Sequence, residues 1–270
     1  MFNVPTRVSE RIAAGLKKFQ PIIQSAKTRD VNESDTVIIV TDMMSDLFGY
    51  DKYSELTSEF AVRSTYCDLA TKIDGHVQCL VEVKAVGTEL KDNHTKQAVD
   101  YAANQGVEWV VLTNGELWKV FKVNFTKPIG QELVIELDIL SLSHKKPQDI
   151  EALFLIAKEG FIKSALGEFN AQRQALNRFW IAAMLLTDPV LEVVRRELRR
   201  MSPDVRIDTD QIKSVLTQEV LKRDVIEGEK AEEAHKKVMK AAGRMLRARA
   251  ASANSNHEHE VDSSVEASES

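Results

Sequence analysis

Residues 78–86 read Gln-Cys-Leu-Val-Glu-Val-Lys-Ala-Val, an apolar run interrupted by two charges. Its aliphatic and β-branched residues predict a strand that is buried on both faces. Because side chains alternate along a strand, Glu82 and Lys84 lie on one face and the neighbouring valines on the other. A buried charge is costly unless a partner, a metal or a reaction compensates it. The stretch therefore predicts either an ion pair at the rim of a sheet or part of a functional site.

The composition excludes few function classes. Apolar residues make up 43% of the 270 residues and charged residues 29%, as in ordinary soluble globular proteins. No apolar run is long enough to cross a membrane. Cys67 and Cys79 do not make a disulfide framework, so we expect a reducing cytoplasm. The net charge of −5 comes from acids in residues 251–270, and residues 1–250 are neutral. Charge alone therefore neither demands nor excludes nucleic acid.

The pattern along the chain predicts four segments. Residues 1–31 predict a helix and a loop, and residues 32–146 predict a domain of strands and helices. Pro147 marks a boundary, after which residues 147–250 predict helices alone. These are expected at 148–167, 168–187, 189–201, 208–223 and 227–250. Residues 251–270, rich in Ser, Asn, Glu and His, predict a disordered acidic tail.

Within residues 32–146 strands and helices alternate. Asn32 predicts the start of a helix, because it is a good N-cap before two acids. Strands are predicted at 53–61, 64–71, 78–86, 107–113, 117–123 and 133–140, and a helix at 92–105. The first three strands are expected to be antiparallel, and the order is that of an α/β or α+β domain.

The turn at Asp74-Gly75 determines which side chains share a face. A two-residue loop pairs residue 73 with residue 76 and puts Asp68 and Glu82 on opposite faces. A three-residue loop pairs residue 72 with residue 76 and puts both acids on the face of Lys84. A site built from these three residues therefore requires the longer loop or a bulge.

The order of these motifs resembles the PD-(D/E)xK nuclease superfamily, with Asp68 on one strand and Glu82-Val83-Lys84 on the next. More specifically, the chain resembles the N-terminal nuclease domain of type I restriction enzyme R subunits. The stretches that carry the resemblance are Asn32–Thr36, Phe48–Asp51, Tyr66–Leu69, Val81–Ala85, Gln97–Ala102 and Leu112–Trp118. The resemblance implies a restriction-endonuclease-like core with a central mixed sheet flanked by helices.

The resemblance also implies a Mg²⁺- or Mn²⁺-dependent endonuclease that acts on DNA. Asp68, Glu82 and the backbone carbonyl of Val83 are expected to bind the metal. Lys84 is expected to orient the attacking water and to steady negative charge. The remaining implied residues are Gln97, which would contact Lys84 or phosphate, and Glu33, a further acid from the first helix.

Several alternatives remain open. Glu59 could replace Glu33 as the third acid, and Tyr101, one turn after Gln97, belongs either to the site or to the core. The ionised strand residues are also compatible with a non-catalytic nucleic-acid-binding or assembly protein that retains the fold. A third interpretation is a nuclease that acts on RNA.

The chain differs from complete R subunits in two respects. It contains no Gly-x-x-x-x-Gly-Lys-Ser/Thr, so we expect no ATP-driven motor and no ATP. The nuclease-like part is followed by helices that carry a cluster of basic residues, which predicts either contact with DNA phosphates or a solvated face neutralised by acids. The cluster is Arg195, Arg196, Arg199, Arg200 and Arg206. The long helices could also form a homodimer, which would suit cleavage of both strands.

Overall fold

The computed structural model describes residues 2–62, 65–125 and 128–244. The chain divides into two compact units, Met1–Asn170 and Ala171–Ser270. The predicted acidic tail lies outside the described residues. None of the helices in the described ranges is long and apolar enough to span a membrane.

The first unit is built on a six-stranded sheet. Its strands are β1 (Leu56–Val62), β2 (Thr65–Ile73), β3 (His76–Val83), β4 (Trp109–Thr113), β5 (Leu117–Asn124) and β6 (Gly130–Asp138). Its helices are α1 (Thr6–Thr28), α2 (Glu33–Asp46), α3 (Asp92–Gln105), α4 (Pro147–Phe154), α5 (Lys158–Ile162) and α6 (Ala165–Ala175), the last of which continues into the second unit.

The strands lie side by side in chain order from β1 to β6. All neighbouring pairs are antiparallel except β3 and β4, which are parallel. After β3, α3 carries the chain back to the end of the sheet at which β3 begins, so β4 runs in the same direction as β3. The predicted core, a mixed sheet flanked by helices, is confirmed.

Side-chain alternation gives the sheet two apolar faces. Val81, Val83 and Val111 pack into one core cluster with residues of α1, α2 and α4. Leu80 and Leu112 pack into a second cluster with residues of α3. Residues that share a parity with Leu80 on β3 therefore face α3, and these include Glu82.

The first unit continues beyond Pro147, where the sequence pattern changes from strands to helices. Leu153 and Phe154 of α4 are almost completely buried in the same cluster as Val81 and Val83. The leading helix α1 lies within the predicted helix-and-loop segment 1–31, and its apolar side chains belong to this cluster.

The described part of the second unit is helical, as predicted. Its helices are α7 (Arg178–Leu185), α8 (Asp188–Met201), α9 (Thr209–Val215) and α10 (Arg223–Ile226). A π-helical turn covers Leu216–Val220, and residues 229–244 are helical. Most of these helices are shorter than the sequence pattern predicts, whereas α8 agrees closely with the predicted 189–201.

Candidate active site

The hairpin between β2 and β3 closes with the shorter of the two predicted turns. Ile73 pairs with His76, and Asp74 and Gly75 have φ angles of 52° and 80°. Positive φ at both positions is the mark of a type I′ turn, which Asp-Gly favours. Continued without interruption, this register would put the two candidate carboxylates on opposite faces of the sheet.

A β-bulge brings the carboxylates back to one face. The pairing shifts between Thr71 and Lys72, and Gln78 is the extra residue in β3. Beyond the bulge Leu69 pairs with Val81, and the same register continued by one residue sets Asp68 opposite Glu82, so that their side chains project from the same face. A bulge was one of the two arrangements that the sequence required for a site, and it is the one present.

Lys84 lies between two acids. Its Nζ donates a hydrogen bond to Glu82 Oε1 at 2.9 Å and lies 3.6 Å from Glu33 Oε1. Glu82 is only 3% exposed, whereas the side chain of Glu33 is half exposed. The ion pair between Glu82 and Lys84 is therefore an inner contact rather than one at the solvated rim of a sheet.

The other carboxylate is tied to the same strand. Asp68 Oδ2 accepts a hydrogen bond from the backbone N–H of Val83 at 2.7 Å. Glu82 Oε2 is buried and has no hydrogen-bond partner in the described part of the chain. One buried oxygen of the pair is thus left unsatisfied, which is costly and typical of positions that bind something.

The pKa values of the three groups reflect this crowding. Burial raises the pKa of Asp68. The hydrogen bond from Val83 N–H and the charge of Lys84 lower this pKa, whereas the charge of Glu33 raises it further, and the pKa stays above its usual value. Burial also raises the pKa of Glu82, although the hydrogen bond from Lys84 opposes it. Burial lowers the pKa of Lys84, but the hydrogen bond to Glu82 and the surrounding carboxylates outweigh it, so this pKa lies above its usual value.

Gln97 and Tyr101 lie together on α3. Gln97 Nε2 donates a hydrogen bond to the Tyr101 hydroxyl at 2.8 Å, and the Tyr101 ring packs against the core cluster under α3. Contact of Gln97 with Lys84 or with phosphate stays a prediction. Glu59, the alternative third acid, is exposed on β1, whereas Glu33 reaches Lys84.

Two buried polar side chains next to the site were not singled out from the sequence. Thr36 is 1% exposed and Asn114 is 4% exposed. Thr36 follows Glu33 by one turn of α2 and ends the stretch Asn32–Thr36 that carries the resemblance, and these two signals could have indicated it. Asn114 was predicted as a turn residue, and its side chain also hydrogen-bonds to the segment after Lys84.

Four arginines of the basic cluster lie on α8 and Arg206 lies in the loop after it, and acids of α8 partly neutralise the cluster. The three pairs, with their N–O distances, are Arg195–Glu192 at 2.7 Å, Arg196–Glu197 at 3.2 Å and Arg200–Glu197 at 3.0 Å. Arg199 instead donates to the backbone oxygen of Ile207 at 3.4 Å. The predicted contact with DNA stays a prediction.

The residues at the site suit a hard divalent cation. No group of three or more His, Cys, Asp or Glu side chains able to hold a metal occurs within the described ranges. Mg²⁺ is usually held by one or two carboxylates, with water and substrate oxygens completing its shell. Asp68 and Glu82, with the unsatisfied Glu82 Oε2, fit that smaller donor set.

Comparison with known proteins relates part of the chain to a protein family. No curated protein and no solved structure matches the chain. The family described as type I restriction enzyme R protein N terminus matches residues 39–135. This range contains Asp68, Glu82, Lys84 and Gln97, whereas Glu33 lies just before it. The resemblance predicted from the sequence is confirmed, and residues 39–135 form a domain like the N terminus of type I restriction enzyme R proteins.

Proposed function

We propose that the chain is a nuclease that hydrolyses phosphodiester bonds of DNA with Mg²⁺ or Mn²⁺. The observation that carries the proposal is the bulge, which aligns Asp68 with Glu82 beside Lys84 and leaves Glu82 Oε2 without a protein partner. A surface ion pair would need neither the second carboxylate nor the burial. The family match over residues 39–135 supports the same reaction class.

Asp68, Glu82 and the backbone carbonyl of Val83 would hold the metal ion. A divalent cation bound there would polarise the phosphate and lower the pKa of a bound water. The burial that raises the pKa values of Asp68 and Glu82 disfavours two free carboxylates side by side, so a bound cation would relieve that cost.

Lys84 would act as a cation rather than as a base. The carboxylates around it keep its pKa above the usual value, so the ammonium group is protonated at neutral pH. Its protons can be donated to a phosphate oxygen or to the attacking water, where they stabilise developing negative charge. Glu33 would be a second carboxylate that holds the ammonium group, beside Glu82.

Substrate binding requires further contacts. We propose that guanidinium groups of Arg195, Arg196, Arg199, Arg200 and Arg206 contact DNA phosphates and that Gln97 contacts the cleaved strand. A homodimer would place two sites on the two strands. We further propose a cytoplasmic setting and a reaction without ATP.

Cleavage of supercoiled plasmid with Mg²⁺ tests the proposal. We expect the wild-type protein to nick or linearise the plasmid, and Lys84→Ala and Asp68→Ala to be at least about 100-fold slower, because each removes a group that acts on the transition-state charge. Lys52→Ala is the matched control, since Lys52 pairs with Asp42 on the surface. EDTA should abolish cleavage by the wild-type protein.

Equal nicking by all variants, or nicking by none, would overturn the proposal. Retention of plasmid in a gel-shift experiment without cleavage would instead support the non-catalytic nucleic-acid-binding alternative. The same assay with a single-stranded RNA separates DNA from RNA as substrate.

A further inference from the structure

The segment that follows Lys84 is held on two sides by hydrogen bonds. The backbone N–H of Lys84 donates to Thr113 O at 2.8 Å, which continues the pairing of β3 with β4 past the end of β3. The backbone N–H of Val86 donates to Thr36 Oγ1 at 3.2 Å. Lys84 is therefore anchored to the sheet at its own backbone and to α2 two residues later.

Thr36 links the start of α2, which carries Glu33, to the segment that follows Lys84. Its hydroxyl donates to Asn32 O at 2.8 Å, at the start of α2, and accepts from Val86 N–H. Glu33 lies three residues before it on the same helix. One hydroxyl therefore fixes the start of α2, with Glu33, against the segment that carries Lys84.

Asn114 holds the far end of the same segment. Its Nδ2 donates to Val86 O at 3.3 Å and to Thr88 O at 3.0 Å. Its Oδ1 accepts from the backbone N–H groups of Glu116 at 3.1 Å and Leu117 at 2.8 Å, which closes the turn between β4 and β5. The amide thus ties the loop after Lys84 to the turn after β4.

These side chains provide partners for backbone groups of the segment that apolar side chains would leave unsatisfied. A buried hydroxyl or amide contributes little net stability and is costly when it lacks a partner. Networks of this kind have value when they select one geometry of the backbone. Here the backbone that they select is the one that presents Lys84.

We infer that Thr36 and Asn114 are positioning residues for the proposed cleavage, because they hold the segment from Lys84 to Thr88 so that Lys84 Nζ stays between Glu82 and Glu33. The inference rests on the proposed function. Neither residue is expected to touch the substrate, so each acts through Lys84.

Three substitutions on α2 test the role of Thr36. Thr36→Val keeps the shape of the side chain and removes the acceptor for Val86 N–H, whereas Thr36→Ser keeps the hydroxyl. Thr41→Val is the matched control, because the Thr41 hydroxyl donates to Val37 O at 2.7 Å on the same helix. We expect kcat for plasmid nicking to fall about 10- to 100-fold in Thr36→Val with KM unchanged, because small displacements of a catalytic group have effects of that size. Thr36→Ser and Thr41→Val should keep kcat within about threefold, on the same reasoning.

A second variant at the other end of the segment and a second readout besides activity keep the test from depending on cleavage by Thr36→Val alone. Asn114→Asp keeps the acceptor for the turn and removes both donors to the segment, so we expect the same loss of kcat at unchanged KM. Hydrogen exchange of the Val86 amide, measured on the full chain, should be faster in Thr36→Val than in the wild-type protein and in Thr41→Val.

The outcomes separate this inference from the proposed function. If the wild-type protein cleaves and Thr36→Val and Asn114→Asp cleave with wild-type kcat, the inference is overturned and the proposed function stands. Unchanged exchange of the Val86 amide in Thr36→Val overturns it as well, whatever the cleavage result. No cleavage by the wild-type protein overturns the proposed function and this inference together.

Discussion

Glu82 is a charged side chain that is almost completely buried. Its burial is compensated on one oxygen only, by Lys84, and the neighbouring carboxylate of Asp68 adds repulsion. Removing one partner of a buried ion pair is destabilising, whereas neutralising a strained charge with an isostere can be stabilising. The two effects make opposite predictions for substitutions at Glu82.

Glu82→Gln should raise the free energy of unfolding in EDTA at neutral pH. The folded-state pKa of Glu82 is raised above its usual 4.5, so the stability that this carboxyl contributes is fully present below pH 4.5 and is lost as the pH rises through the raised value. Glutamine does not titrate, so the free energy of unfolding of the variant rises relative to that of the wild-type protein as the pH rises from 4.5 through the raised pKa. Denaturant unfolding at pH 4 and pH 7 measures the difference.

The same variant should lose cleavage by at least about 100-fold, because it removes a ligand of the proposed metal. Mg²⁺ should stabilise the wild-type protein more than Glu82→Gln, since a cation that binds the folded state stabilises it by mass action. Glu136→Gln, at a half-exposed position of β6, is the control and should change neither property. A Glu82→Gln variant that is less stable than the wild-type protein at pH 7 would contradict the prediction.

At the scale of elements, the order of strands and helices was predictable and the register was not. Asp-Gly, the apolar runs and the N-cap Asn32 are local signals, and local chemistry decides the features that they predict. The bulge depends instead on which faces of β2 and β3 the two cores accept, because Leu69 and Val81 must face one core and Ala70 and Leu80 the other. The sequence could therefore indicate only the condition for a site, which is a longer loop or a bulge that puts Asp68 and Glu82 on one face.

The sequence pattern did not indicate the breaks between the helices after Pro147, for a related reason. The sequence predicts one helix over 148–167, whereas α4 ends at Phe154 and α5 begins at Lys158. The intervening residues are completely or almost completely buried, so the apolar pattern continues through the break. The backbone N–H of Lys158 donates to Phe48 O. A tertiary contact therefore ends the helix where propensity would continue it.

Deletion of Gln78 should leave the site intact. Gln78 is the unpaired residue of the bulge, so its removal lets the ladder run regularly from the turn and still sets Asp68 opposite Glu82. We expect the variant to fold and to cleave plasmid within about threefold of the wild-type rate, because the site groups keep their relative placement. Circular dichroism and the plasmid assay measure the two properties.

Deletion of Leu80 is the matched control, since it shortens the same strand by one residue. A regular ladder is then reached only if Gln78 moves into the buried place of Cys79, and burial of an unpaired amide is costly. We expect this variant to unfold at lower denaturant. A folded Gln78 deletion without cleavage would show that the bulge does more than correct the register.

At the scale of the whole molecule, the candidate site lies within the first unit. Glu33, Asp68, Glu82, Lys84 and Gln97 all precede Asn170, as do the two core clusters. A fragment that ends at Ala175, after α6, keeps all of them. We expect this fragment to fold and to retain kcat within about threefold, because no group of the site is removed. Loss of kcat in a folded fragment would contradict the assignment of the site to the first unit.

The salt dependence of DNA binding tests what the second unit adds. Each phosphate contact contributes about −0.9 to the slope of log affinity against log salt. Arg195, Arg196 and Arg200 already pair with Glu192 and Glu197. To bind DNA, each of these guanidinium groups must therefore exchange a carboxylate for a phosphate. We therefore expect a steeper slope for the full chain than for the fragment, by less than the five arginines would give.

The contribution of Arg199 separates the two roles left open for the cluster. It pairs with a backbone oxygen rather than with a carboxylate, so its charge can attract phosphate without first breaking an ion pair. Arg199→Ala in the full chain should lower the magnitude of the salt slope by about one and raise KM at unchanged kcat. Arg173→Ala, on α6 in the same unit, serves as the control for loss of a cation. If both variants bind DNA with the same salt slope as the wild-type full chain, the cluster is a solvated helix face. DNA is then held by the first unit alone.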